Sequence, residues 1–142
     1  MANSKNLIKS LVEIIRGDFL INSYVKSRCY AKSPLKPDSV TPLVGVWFDD
    51  DATIGGLPAG NGICEIGVWN NIDNAKCLEV ILDIKDRVKI LVNQKPDVIN
   101  SLGYITKVRT FDLVSGSISD EHIGSLKMWY LPLFFSCIIG DE

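Results

Sequence analysis

Cys77, Ile81, Ile84, Val88 and Leu91 recur at spacings of four and three residues, the period that places all of them on one face of an α-helix. Leu78 and Leu82 widen the stripe. A helix with one apolar face must bury it against another layer, and the residues just upstream supply one. From Ile63 to Trp69 the chain alternates, with Ile63, Glu65, Gly67 and Trp69 on one side and Cys64, Ile66 and Val68 on the other. That is the two-residue period of a strand. Asn70 to Asp73 reads as a turn ending in an N-cap, so the helix is expected over Ala75 to Val92, with Pro96 as its stop.

The remaining segments extend this strand-on-helix pattern. Leu7, Ile8, Leu11, Val12, Ile14 and Ile15 predict an amphipathic first helix, started by Asn3 or Ser4 and stopped at Gly17. Phe19 to Val25 reads as a short helical or irregular piece, and Val25 to Ala31 as a strand. Three prolines (Pro34, Pro37, Pro42) make Ser33 to Pro42 an extended connection. Leu43 to Phe48 is β-rich, and its pairing with residues 63–69 would bring Trp47 near Trp69. Gly103 breaks the chain before a strand over Tyr104 to Val114. Ser115 to Glu121 reads as a polar turn. Ser125 to Ile139 predicts a last strand in which Pro132 implies a bulge, a bend or an edge position. The expected fold is therefore α+β: a mostly antiparallel sheet of about four to five strands with two helices packed on one face. Its 142 residues are the size of one domain, 1–142, with a long Gly-rich loop at 49–62.

Composition narrows the function classes. Apolar residues at 46% and charged residues at 23% are those of a globular chain. A formal charge of −2 gives no overall basic field for holding nucleic acid. The charge is uneven, however. Residues 1–36 carry Lys5, Lys9, Arg16, Lys26, Arg28, Lys32 and Lys36 against Glu13 and Asp18, a net of +5. Residues 37–83 carry Asp38, Asp49, Asp50, Asp51, Glu65, Asp73, Glu79 and Asp83 against Lys76, a net of −7. Two faces of opposite sign, or solvated loops that merely differ, both fit this division. Cys29, Cys64, Cys77 and Cys137 stand far apart without metal-ligand spacing, and read as buried thiols in a reducing compartment. The N-terminal residues lack the pattern of a signal peptide, and Met128 to Ile139 is too short to span a bilayer, so a soluble protein with no membrane partner is expected.

A search for chemistry finds no catalytic, cofactor or metal set. Gly55 to Gly62 has neither the lysine nor the hydroxyl of a phosphate loop, and leads into a strand rather than a helix. Asp49, Asp50 and Asp51 lack the spacing of an organised cation site. His122 is the only histidine and reads as a surface turn residue beside Asp120 and Glu121. Lys26, Arg28, Tyr30 and Lys32 alternate basic and aromatic character, as nucleic-acid surfaces and half-exposed strands both do. An enzyme is not expected.

The arrangement as a whole resembles the tail-terminator, tail-completion and neck proteins of long-tailed bacteriophages. The resemblance is carried by the first helix, Arg28-Cys29-Tyr30, Thr41-Pro42-Leu43-Val44-Gly45-Val46-Trp47, and above all Cys64-Glu65-Ile66-Gly67-Val68-Trp69-Asn70 followed by the helix. Asp120-Glu121-His122-Ile123-Gly124 and the strand from Leu126 close it. The long loop at 49–62 and Pro132 depart from the pattern. The resemblance implies a structural virion protein, assembled in the host cytoplasm and located at the tail or neck. It would form a homo-oligomeric ring, commonly of about six subunits, at the head-proximal end of the tail. Its partners would be the tail tube protein and the head-side connector proteins, with genomic DNA passing through the bore. A stopper, head-completion or tube-like subunit is an alternative, as is a cellular small-ligand-binding or adaptor domain. Asp49, Asp50, Asp51, Ile54 and Leu57 of the loop, with Lys26, Arg28 and Lys32, are the candidate contacts to neighbouring subunits or partners.

Overall fold

A computed structural model of the chain describes residues 4–31, 39–49, 61–104, 107–123 and 126–139. Helix α1 runs Ser4–Gly17 and α2 Phe19–Val25, followed by strands β1 (Cys29–Ala31), β2 (Leu43–Asp49) and β3 (Asn61–Asn71). Helices α3 (Cys77–Val92) and α4 (Pro96–Asn100) come next, then β4 (Val108–Gly116), β5 (Ser119–Ile123) and β6 (Leu126–Ile139). Among the described residues the sheet has six strands in the order β1-β2-β3-β6-β4, with β5 also paired to β6. The class is α+β and the sheet mostly antiparallel, as the alternation implied. Among the described residues only the β1–β2 pair is parallel.

One face of the sheet carries the core. Val44, Val46 and Phe48 of β2 stand opposite Val68, Ile66 and Cys64 of β3, which stand opposite Leu131, Leu133 and Phe135 of β6. All are buried together with Leu7, Leu11 and Ile15 of α1, Ile21 and Val25 of α2, Cys77, Ile81, Ile84, Val88 and Val92 of α3, and Ile99 of α4. Each of the four described helices therefore packs on the same side. The two expected helices are joined by two short ones. Pro96 does not stop α3, which already ends at Val92 with Asn93 as its C-cap. Pro96 instead opens α4, where its missing N–H is harmless.

Several local expectations give way for physical reasons. No side chain caps α3: Lys76 occupies the N-cap position in a left-handed conformation. Buried Asn70 does the joining instead, donating from Nδ2 to the Cys77 carbonyl at 3.3 Å and accepting from Asn74 Nδ2 at 2.7 Å. Leu78 and Leu82 do not widen the buried stripe, since each is 43% exposed. The segment around Ser115 to Glu121 is not a turn, because β4 continues to Gly116 and β5 begins at Ser119.

Pro132 sits in β6 at the centre of the sheet rather than at an edge. Toward β3 it stands opposite Gly67. On its other side it falls between the Gly116–Leu133 and Ser119–Tyr130 pairs, where neither β4 nor β5 places a residue opposite it. The gap between two strands thus gives a central proline the freedom of an edge.

The helix-free face of the sheet has a smaller cluster. Leu43, Trp69 and Met128 are buried there, with Tyr130 packed on them. Trp69 stacks on Tyr130 with ring centroids 4.4 Å apart, and Tyr130 Oη donates to Glu65 Oε2 at 2.7 Å. Trp47 is opposite Glu65, while Trp69 is opposite Leu43. The two tryptophans are therefore not a cross-strand pair.

Candidate interaction surface

Where α1 crosses the ends of β1 and β2, it leaves a groove of about 670 Å³ lined by Lys5, Ile8, Lys9, Val12, Glu13, Arg16, Ala31, Trp47 and Phe48. Its construction follows from the spacing along α1. Leu7, Leu11 and Ile15 turn into the core, which leaves Lys5, Lys9, Val12 and Arg16 aligned on the adjoining stripe of a 3.6-residue helix. The floor is apolar, from Ile8, Val12, Ala31 and the two aromatic residues of β2. The rim is basic.

The rim groups are held in place. Lys9 Nζ lies 4.1 Å from the centroid of the Tyr104 ring, and Tyr104 Oη donates to Glu13 Oε1 at 2.9 Å. Arg16 Nε donates to the Cys29 carbonyl at 2.9 Å. A positively charged rim over apolar side chains suits an occupant that is apolar in the middle and acidic around it.

The residues singled out from the sequence are placed differently. Lys26 is exposed, at the C-cap of α2 with a positive φ of 48°. Arg28 turns back on its own chain: Nε donates to the Pro42 carbonyl at 3.1 Å and Nη2 to the Tyr24 carbonyl at 3.4 Å. Asp49 is the last residue of β2, opposite Ile63. Because β1 and β2 run parallel, with Cys29 opposite Val44, Arg28 and Asp49 stand at opposite ends of the strand pair. Lys32, Asp50, Asp51, Ile54 and Leu57 lie outside the described residues. The groove residues Lys5, Lys9 and Arg16 were missed as a set, although their spacing of four and seven along a helix was visible in the sequence.

The four cysteines are free and buried. Burial pushes the thiols of Cys29 and Cys137 up to about 12, with Arg16 pulling the first down and Asp112 adding to the second. Burial also raises Cys64 well above the ordinary thiol value. Among the described residues no group of three or more His, Cys, Asp or Glu is placed to hold a metal ion. No helix among them is long and apolar enough to cross a membrane.

No family model matches the chain, and no curated protein matches it. Among solved structures, a chain of the virion of a native gene transfer agent particle superposes with a TM-score of 0.66. The match covers 94% of this chain and 95% of that one, at 12% identity. The two chains share a fold along nearly their whole lengths. A second solved chain reaches a TM-score of 0.45 at 15% identity, covering 98% of this chain and 99% of its own, and carries no weight here.

Proposed function

We propose that this chain is a structural virion protein, a subunit of a homomeric ring at the head-proximal end of a phage tail. There it terminates the tail tube and joins it to the neck. The observation that carries the reading is the end-to-end fold likeness to a chain of a gene transfer agent virion, covering 94% of this chain. The phage-neck resemblance of Cys64 to Leu91 is a further, sequence-based support for the reading. The role is architectural rather than catalytic. A net charge of −2 suits a channel through which DNA slides, since tight phosphate contacts would hold it back.

The purified chain at high concentration is expected to give a closed ring of about six subunits by native mass and electron microscopy. Oligomer mass should fall as salt rises, because a head-to-tail contact built on opposite charges is screened. A second reading is favoured by one feature: the groove of about 670 Å³ is the size of a small-molecule site. A strict monomer whose melting temperature rises with a small ligand would support that reading instead.

A further inference from the structure

The basic groove has a counterpart elsewhere on the molecule. Glu79, Asp83, Asp86 and Ile90 recur at four, three and four residues along α3 and are exposed, with Ile90 at 55%. They form a stripe opposite the buried one. Helix α2 lies along this side of α3. Tyr24 Oη donates to Asp83 Oδ2 at 2.8 Å, and Arg87 Nη2 lies 2.9 Å from Asp18 Oδ1. At the start of α2, Phe19 is 90% exposed, beside Leu20 at 42%. An almost fully exposed phenylalanine on α2 and an acidic stripe on α3, the helix to which α2 is bonded, together offer the apolar and acidic character the groove calls for.

We propose that the groove of one copy receives the Phe19-bearing, acidic α2–α3 surface of a second copy of this chain. Phe19 enters between Ile8, Val12 and Trp47, while Lys5, Lys9 and Arg16 face Glu79 and Asp86. Charge complementarity between the two surfaces argues for this occupant. Because the groove and the α2–α3 surface are different patches, the contact is head-to-tail, the type that closes into a ring. The inference rests on the ring reading above and adds which faces meet.

The test uses two charge-reversed variants of the full chain, Lys5→Glu with Lys9→Glu, and Glu79→Lys with Asp86→Lys. All four positions are exposed, and circular dichroism checks that each variant folds. In native mass measurements each variant alone should lose at least about tenfold in association, since like charges then face each other. An equimolar mixture should regain assembly, and only with the two variants alternating, because each now complements the other. Phe19→Ser should weaken assembly with little change in the melting temperature of the monomer, since the side chain is 90% exposed. Wild-type rings that persist in both variants would overturn the proposal and leave the ring reading standing. A mixture that stays dissociated while the wild type assembles would do the same. A wild-type chain that remains monomeric at every concentration would overturn both.

Discussion

At Asp18 one buried carboxylate serves two elements. Oδ2 accepts from the Ile21 amide at 3.1 Å to cap α2, and Oδ1 accepts from Arg87 Nε at 2.9 Å across to α3. Asp18→Ala removes the cap and leaves the guanidinium without its partner. Arg87 is 37% exposed and keeps some access to water, so the expected loss is about 2–4 kcal/mol of unfolding free energy. Chemical denaturation measures it. A change below about 0.5 kcal/mol, the ordinary surface range, would show that the two helices are held together elsewhere. The cysteines make a second prediction at this scale. A folded-state thiol pKa raised above its unfolded value favours the neutral form, so its stabilisation is fully present below the unfolded pKa near 9. It is lost as pH climbs toward the folded value of about 12. Stability should therefore fall through that window. Thiol labelling at pH 8 should be slower in the native protein than in the unfolded one by at least about tenfold. Rapid labelling of all four thiols without denaturant would contradict the burial.

Among the elements, Gly67 is where the helix-free face is most tightly built. A Cβ at this position would lie 2.7 Å from ring carbons of both Trp69 and Tyr130. Gly67→Ala must therefore displace the aromatic stack, at an expected cost of about 1–3 kcal/mol, with a change in near-ultraviolet circular dichroism as the marker. An unchanged near-ultraviolet spectrum would mean that the stack does not rest on Gly67. The elements most legible in the sequence were those with a single solvent side. The alternation of Cys64, Ile66 and Val68 and the helical repeat of Ile81, Ile84 and Val88 both report burial on one face, and burial decides both structures. What escaped depends on neighbours that spacing does not encode. Leu78 and Leu82 are apolar and adjacent to the buried stripe, yet both are exposed. Pro132 looked like an edge residue because the gap between β4 and β5 is a property of pairing register. The start of α3 looked capped because Asp73 is a good capping residue, whereas Asn70 reaches the first turn from the end of β3.

Among the described residues the molecule is a sheet with its helices on one face, a basic groove at α1, an exposed Phe19 on α2 and an acidic stripe on α3. The candidate surface was only partly legible. The +5 of residues 1–36 contains Lys5, Lys9 and Arg16 of the groove, and the −7 of residues 37–83 contains Glu79 and Asp83. The sequence could not say that α1 and α3 would point those charges outward from separate sides of one core. The most direct test of the central claim is the native mass of the full chain at high concentration, with electron microscopy of the same sample. The account predicts a closed ring of about six subunits. A chain that stays monomeric in both measurements would contradict it.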